Sequence, residues 1–274
     1  MIKSNPLVSV IIPTKNSAEL IEPCLISVKN QTYKNIEIIL VDNNSDDNTK
    51  EIASKHTKLV FNKGLERSTQ RNYGAKKANG KYLLFIDSDM TLAEKAVEEG
   101  VAIFEKYSKV GALIIPEKSV GEGFWGKCKV LEKSFYKGVR WIEAARIFRK
   151  RVFDGVGGFD SSLISGEDWD LSHRAKQVSE VSRITSFVTH NEGKVSLISI
   201  INKKYYYSKH ISKYVSKSSG SLNVMVVDRY KLFLSKPKKL FQNPILGFGL
   251  LFMKTCEFGG GLIGYMVGSM GKQI

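Results

Sequence analysis

Hydrophobic and polar positions alternate along the first third of the chain in a way that predicts a repeated strand–helix unit. The clearest element is Tyr82-Leu83-Leu84-Phe85-Ile86, five apolar or aromatic residues that stop abruptly at Asp87-Ser88-Asp89. An uninterrupted apolar run of this length predicts a strand buried on both faces. Carboxylates cannot sit unpaired inside such a strand, because desolvating them costs too much. Asp87 and Asp89 are therefore expected at its C-terminal end. Two earlier runs have the same form. Val8-Ser9-Val10-Ile11-Ile12 is stopped by Pro13-Thr14, and Ile36-Glu37-Ile38-Ile39-Leu40-Val41 ends at Asp42. A short third strand is expected over 58–61. Between them, apolar residues at 20, 21, 25 and 28 predict a helix over 18–29. A second helix runs to about Lys55, capped by Ser45 or Asp46, and a third covers 68–78 and ends at Asn79-Gly80. Three strand–helix alternations before Asp87 indicate a largely parallel sheet with right-handed crossovers.

In a parallel sheet the C-terminal strand ends share one edge. Thr14 and Asn16, then Asp42 and Asn44, then Asp87 and Asp89 should gather there. Ligands bind at that edge of open α/β sheets. Paired carboxylates suit a hard divalent cation carrying a phosphate-bearing ligand. An isolated Asp-x-Asp fits a solvated turn or helix cap equally well, so the neighbouring polar ends carry the weight.

Beyond Asp89 the pattern predicts a helix over 92–107, a strand over 110–115 ended by Pro116, a loop at Gly121-Glu122-Gly123, a helix over 124–136 and a short strand over 144–148. Val156-Gly157-Gly158-Phe159-Asp160 reads as a glycine turn. Gly166-Glu167-Asp168-Trp169-Asp170-Leu171 then puts three carboxylates into four residues at the start of a helix that runs through Ala175. Acidic residues at a helix start are favoured by the helix dipole. Crowding also raises a carboxylate's proton affinity, which suits a general base. A strand over 184–189 is expected to deliver His190 at its end.

Composition narrows the class. The chain has 274 residues, 42% of them hydrophobic, enough for a large α/β domain with an appendage. Cys24, Cys128 and Cys256 are scattered and odd in number, which argues against a disulfide framework or zinc site and points to a reducing compartment. Residues 1–6 lead straight into the first strand and leave no room for the apolar segment of a signal peptide. The net charge is +15, and from Lys194 onward there are 13 Lys or Arg against only Asp228 and Glu257. A basic tail of this kind suits phosphate-rich ligands, an anionic lipid surface or nucleic acid. It carries no nucleic-acid-binding motif, so nucleic acid is not expected as the partner.

Taken in order, Pro13-Thr14-Lys15-Asn16, Val41-Asp42-Asn43-Asn44-Ser45, Arg71-Asn72-Tyr73-Gly74, Asp87-Ser88-Asp89, Gly157-Gly158-Phe159-Asp160, Glu167-Asp168-Trp169-Asp170 and His190 resemble the inverting family 2 glycosyltransferases. The likeness covers residues 6–195. It implies a GT-A, Rossmann-like fold: a mixed, mostly parallel sheet flanked by helices. It also implies transfer of a sugar from a nucleotide-diphosphate donor, UDP- or GDP-linked, to a hydroxyl. By this resemblance Asp89 would ligate Mn²⁺ or Mg²⁺, with Asp87 and His190 helping to hold the metal. Pro13, Thr14, Asn16, Asp42, Asn44, Arg71, Asp87 and Ser88 would line the donor site. Asp168 would be the general base, with Glu167, Trp169, Gly157 and Gly158 on the acceptor side. The chain lacks a Gln-x-x-Arg-Trp sequence, since Arg140 and Trp141 stand in the reverse order and before the base, so a single transfer is expected rather than polymerisation. A nucleotide-sugar-binding subunit without turnover is the rival reading, and intact Asp89 and Asp168 count against it.

Residues 1–195 are thus expected as the catalytic domain and 196–274 as a basic, partly apolar helical extension. Its two apolar pieces, 240–253 and 258–271, are separated by Lys254 and Glu257, which are spaced to pair on a helix. Each is too short for a clean membrane span. They fit interfacial helices beside a polybasic surface, or packing on the catalytic domain or a second subunit. The first alternative predicts a peripheral protein on the cytoplasmic face of the membrane, near an acceptor such as a polyprenyl-phosphate-linked saccharide. The second leaves room for a homo-oligomer.

Overall fold

The computed structural model describes residues 5–210 and 222–270. Its first compact unit comprises Met1–Glu117, Arg140–Ser161 and Glu167–His190. The second comprises Lys118–Val139, Ser162–Gly166 and Asn191–Ile274.

The first unit is built on a seven-stranded sheet. Strands β1 (Val8–Thr14), β2 (Ile36–Asp42), β3 (Val60–Asn62), β4 (Tyr82–Phe85), β6 (Val110–Ile114), β8 (Ala145–Arg149) and β9 (Glu180–Arg183) lie in the order β3-β2-β1-β4-β8-β6-β9. β3, β2, β1 and β4 run parallel, and β8 is antiparallel to both its neighbours. The fold is therefore α/β with a mostly parallel sheet, as the alternation predicts. β5 (Met90–Leu92) lies outside this sheet and pairs antiparallel with the start of β10 (Val188–Lys194).

Alternating residues of each buried strand feed two cores. Tyr82 and Leu84 join Val8, Val10 and Ile12 on one face. That face is covered by α1 (Ile21–Lys29), through Cys24, Leu25 and Val28, and by α4 (Ala96–Lys106), through Val97, Val101 and Phe104. Leu83 and Phe85 join Ile11, Ile39 and Val41 on the other face. It is covered by α3 (Arg67–Lys77), α6 (Lys150–Gly155) and α7 (Glu167–Val178), through Ala75, Phe153 and Leu171. Every residue of β4 is buried, as is Ile86 after it. Each such side chain leaves water for an apolar layer, a gain of about 1.5–3 kcal/mol for a fully buried Leu, Ile or Phe.

The boundaries depart from expectation in several places, each for a local reason. α2 (Thr49–Ser54) begins later than its expected cap because Ser45 turns back onto Asp42 instead. Leu92 ends β5 rather than opening a helix, since its backbone N–H is drawn to Ser27 Oγ of α1, 3.0 Å away. Gly121 and Glu122 close β7 (Glu117–Glu122), and Gly123, at φ +65°, starts α5 (Gly123–Tyr136) rather than extending a loop. The strand expected over 184–189 falls mostly on the turn between β9, which ends at Arg183, and β10, which starts at Val188. His190 consequently sits inside β10 opposite Met90, not at a strand end.

The second unit is mainly helical. α5 and α8 (Leu197–His210) are joined by α9 (Leu222–Leu234), the short α10 (Pro237–Leu240) and α11 (Pro244–Met270). Residues 244–253 and 258–270 of the two apolar pieces lie on one continuous helix. Lys254 Nζ reaches Glu257 Oε2 at 2.9 Å, the expected pair, and also Glu132 Oε1 of α5 at 2.9 Å. With both charges answered inside the protein, nothing breaks the helix between them. Among the described residues, Pro244–Ser269 is long and apolar enough to cross a membrane by length and composition, and 39% of its most apolar stretch is buried.

Candidate active site

The sheet edge collects the residues that the strand ends promised. Thr14 stands in register with Asp42, and Ile11 with Phe85, so the three loops after β1, β2 and β4 open together. Asp42 is fully buried and accepts both the N–H of Ser45, at 2.7 Å, and its Oγ, at 2.5 Å. Ser45 Oγ in turn accepts the N–H of Asn16 at 2.8 Å, and Asn16 Oδ1 accepts the N–H of Asp46 at 3.0 Å. Asn16 and Asn44 hold φ values of 46° and 49°, the left-handed region that asparagine tolerates better than most residues. Asn44 Oδ1 accepts from Asn62 Nδ2 at 2.7 Å. Gln70, reaching over from α3, donates to Thr14 O and Val41 O. Pro13 and Thr14 close β1, every residue of which is buried, and the Thr14 hydroxyl is buried without a partner. The Ser88 hydroxyl donates to Ser17 Oγ at 3.0 Å, tying the loop after β4 to the loop after β1.

Arg71 is the centre of the site. It lies on α3, is 1% exposed, and its guanidinium faces three carboxylates. Nη2 donates to Asp87 Oδ1 at 2.7 Å. Nη1 donates to Asp168 Oδ1 at 3.0 Å and to Glu167 Oε1 at 3.4 Å. Its planar face rests on the Phe159 ring, 5.1 Å from the centroid. Burial pulls the pKa of Arg71 down, but the charges of Asp168, Asp87 and Glu167 outweigh it and raise it. Burial likewise opposes ionisation of Asp87. The cations Arg71, Arg67 and Arg146 win, and hold its carboxyl well below the usual carboxylate range.

The three carboxylates at the start of α7 take different parts. Glu167 is 4% exposed; burial first, then the charge of Asp168, raises its pKa. Asp168 is the open one, with 38% of its side chain exposed. Asp170 is committed to Arg174, which also donates to Gly158 O at 2.8 Å. Trp169 Nε1 donates to Ile142 O at 2.8 Å. The Gly157-Gly158 turn is clamped from α3, where Asn72 donates to Phe159 O at 2.7 Å and accepts from Phe159 N at 2.9 Å. Gly157 has φ +82° with open space where a Cβ would point. At Gly158, φ is +68° and a Cβ would meet Asn72 Oδ1 at 2.7 Å, so only glycine fits.

On the other side of Asp87, His190 stands between two acids, with Nε2 3.2 Å from Asp89 Oδ2 and Nδ1 3.2 Å from Glu117 Oε1. Burial would lower the pKa of His190. The hydrogen bonds to Asp89 and Glu117 outweigh that and raise it to about 9. Asp89 Oδ1 is buried with no hydrogen-bond partner. An orphaned carboxylate oxygen beside an imidazole and a second carboxylate is a donor set that fits Mn²⁺ or Mg²⁺.

Two residues of the site escaped the sequence reading. Glu117 accepts from His190 and from Arg146 Nη2 at 3.3 Å, and Arg146 Nη1 lies 3.9 Å from Asp87 Oδ2. The signal for Glu117 was available: it follows the run over 110–115 as Asp87 follows β4. Arg146 carried none, because a lone arginine in a short strand has no periodic partner.

Residues 9–159 match the model of the glycosyl transferase family 2 domain. Among named relatives, the glycosyltransferase AglE of Haloferax volcanii is 30% identical over 194 residues, covering 64% of this chain and 63% of AglE. The poly(ribitol-phosphate) β-N-acetylglucosaminyltransferase TarP of Staphylococcus aureus is 31% identical over 166 residues, covering 54% of this chain and 50% of TarP. The match thus spans less than two thirds of either relative's own length. In three dimensions, S. aureus TarS 1-349 in complex with UDP-GlcNAc aligns with 97% of this chain and 92% of its own, at a TM-score of 0.58 and 17% identity. The mannosyltransferase PcManGT of Pyrobaculum calidifontis, in complex with GDP-Man and Mn²⁺, aligns with 97% of this chain and 88% of its own, at 0.58 and 18%. At those identities the likeness shows the fold, which is the GT-A arrangement of a mostly parallel sheet flanked by helices. With more than half of its residues in the family match and this fold around them, the chain belongs to glycosyl transferase family 2.

Proposed function

We propose that the protein is a metal-dependent, inverting glycosyltransferase that moves one sugar from a UDP- or GDP-linked donor to a hydroxyl acceptor. The observation that carries this reading is the division of labour around Arg71. One buried guanidinium ties Asp87, on the side of the orphaned Asp89 oxygen, to Asp168, the one open carboxylate at the start of α7.

Asp89 and His190, with Glu117 beside them, would hold Mn²⁺ or Mg²⁺. The ion supplies charge neutralisation for the departing nucleoside diphosphate. Asp87, Ser88 and the loops bearing Pro13, Thr14, Asn16, Asp42 and Asn44 would seat the donor. Asp42 contributes by fixing the turn through Ser45 rather than by an open carboxylate. Asp168 would take the proton of the acceptor hydroxyl as that oxygen attacks the anomeric carbon, opposite the leaving diphosphate, so one displacement inverts the centre. Glu167, buried and low in acidity, would hold Arg71 and Arg67 in place from behind. Trp169, Gly157 and Gly158 would border the acceptor. The acceptor we favour is a lipid-linked or cell-envelope saccharide, such as one on polyprenyl phosphate, met at the cytoplasmic face of the membrane. The donors named for TarS and PcManGT, UDP-GlcNAc and GDP-Man, set the first two to try.

A thermal-shift screen of UDP-, GDP- and dTDP-sugars with and without Mn²⁺ tests the reading. One donor should raise the melting temperature only when the metal is present. Asp89→Asn should abolish that shift. Asp168→Asn should keep it while lowering turnover by about 10²–10⁴-fold, the range for loss of a general base. A wild-type protein that no donor stabilises, or an Asp168→Asn protein with full turnover, overturns the assignment.

A further inference from the structure

α11 is built inside out for a helix that meets water. Its two charged residues, Lys254 and Glu257, are buried against Glu132. Its outer surface exposes Ile245, Phe248, Phe252, Leu262, Ile263 and Met266. Exposed positions 245, 248, 252, 255, 259, 262 and 266 step by three and four and so fall on a single stripe. The remaining two of that series are Thr255 and Gly259. No exposed residue of α11 among those described is charged. At 27 residues the helix is roughly 40 Å long, so the stripe exceeds the scattered apolar exposure of an ordinary surface.

The opposite side of α11 is closed by protein. A Cβ on Gly264 would stand 2.3 Å from Tyr205 O, and one on Gly268 2.1 Å from Lys209 O, so the α8 backbone lies against this face. A Cβ on Gly249 would stand 2.5 Å from Phe124 of α5. A helix backed this closely along its length cannot be ringed by lipid, which excludes a free-standing span and leaves one face to be covered.

We infer that this face docks on an anionic bilayer, with α11 lying in the plane of the interface and its phenylalanines in the acyl boundary. Three observations select lipid over a second copy of the chain. A water-exposed helix pair keeps charged residues flanking its seam to set register and partner, whereas Ile263 and Val267, exposed beside this stripe, are apolar. The described residues of the second unit expose nine lysines and a single carboxylate, Glu122, a surplus that complements anionic headgroups. Trp125 stacks on Phe252, ring centres 6.3 Å apart, placing an indole where aromatic rings favour the headgroup level. This inference rests on surface chemistry alone, and its failure leaves the transfer chemistry standing.

Flotation of the full chain on phosphatidylcholine vesicles with and without phosphatidylglycerol tests the inference. The protein should float with the anionic vesicles. Phe248→Ser with Phe252→Ser should lower the partition at least tenfold. So should Ile263→Ser with Met266→Ser, a pair that leaves the Trp125 stack untouched; circular dichroism checks that both variants stay folded. A wild-type protein that does not float overturns the inference. So does flotation unchanged in both variants, which assigns binding to the lysines alone. A lipid-free dimer that the same substitutions dissociate assigns the face to a second copy and overturns it as well.

Discussion

Arg71 and His190 solve the same problem with opposite amounts of freedom. Arg71 is always charged, so its three acids are permanently held. His190 titrates, and that makes its contribution measurable. Its pKa stands at about 9 in the folded chain against 6.5 for the free side chain. A raised value means that its pairing with Asp89 and Glu117 stabilises the fold fully below pH 6.5 and is lost as pH rises through about 9. In metal-free buffer the stability advantage of the wild type over His190→Gln should therefore shrink by on the order of 1 kcal/mol or more between pH 6.5 and 9.5. Urea unfolding at each pH measures it, and an advantage constant with pH refutes it. The comparison with the variant is needed because Lys204, lowered to about 8 chiefly by burial, changes stability in the opposite direction above pH 8. At this scale the sequence exposed the residues but not their partners. Asp87 and Asp89 were legible from where an apolar run stops, and Asp168 from the carboxylates crowded at a helix start, whereas the strand end expected to deliver His190 is not where it lies. That Arg71 touches Asp168 joins positions 97 apart in the chain, and no local pattern encodes it.

Elements were legible where one buried face sets one period. β1, β2 and β4 are apolar runs closed by polar residues, and they emerge within a residue or two of expectation. Elements were not legible where burial comes from elsewhere. Lys254 and Glu257 look like an interruption until Glu132 arrives from 122 residues away, and then α11 runs through. The glycines of α11 show the same blindness. Taken alone, glycines lower helix propensity. In the fold, Gly260, Gly264 and Gly268 recur every four residues where α8 presses on α11. Gly264→Val should therefore destabilise the helical unit rather than stiffen it. The new Cβ must move the carbonyl of Tyr205 out of a 2.3 Å approach, and overpacking of this kind costs about 1–3 kcal/mol. Gly259→Ala, where a Cβ meets nothing within 4 Å, should be neutral or stabilising by up to about 1 kcal/mol. Thermal unfolding of the two variants side by side checks the pair, and equal melting points would remove the packing role given to Gly264.

For the whole molecule the dominant quantity is a net charge of +15. A field of that size attracts any polyanion, and it makes nucleic-acid retention an expected artefact as much as a clue. The source of the charge separates the two. Lysines exposed to solvent bind phosphate chains by releasing counterions, so affinity falls steeply with salt and carries no sequence preference. The cations at the candidate site differ in kind. Arg71 is buried and Arg146 mostly so, with 17% of its side chain exposed, and charges so placed are screened far less. Raising salt from about 0.05 to 0.3 M should therefore release a mixed-sequence oligonucleotide by at least about 10²-fold. Over the same interval the Mn²⁺-dependent stabilisation by a nucleotide sugar should fall by no more than a few-fold. Fluorescence anisotropy and thermal shift, run on one salt series, measure both. Salt-resistant, sequence-selective oligonucleotide binding would reverse the assignment and make the basic surface, rather than the sheet edge, the seat of function. The two outcomes differ because a chain that leaves most of its described cations exposed to solvent and keeps a few beneath its carboxylates has two electrostatic regimes, and salt reaches only one of them.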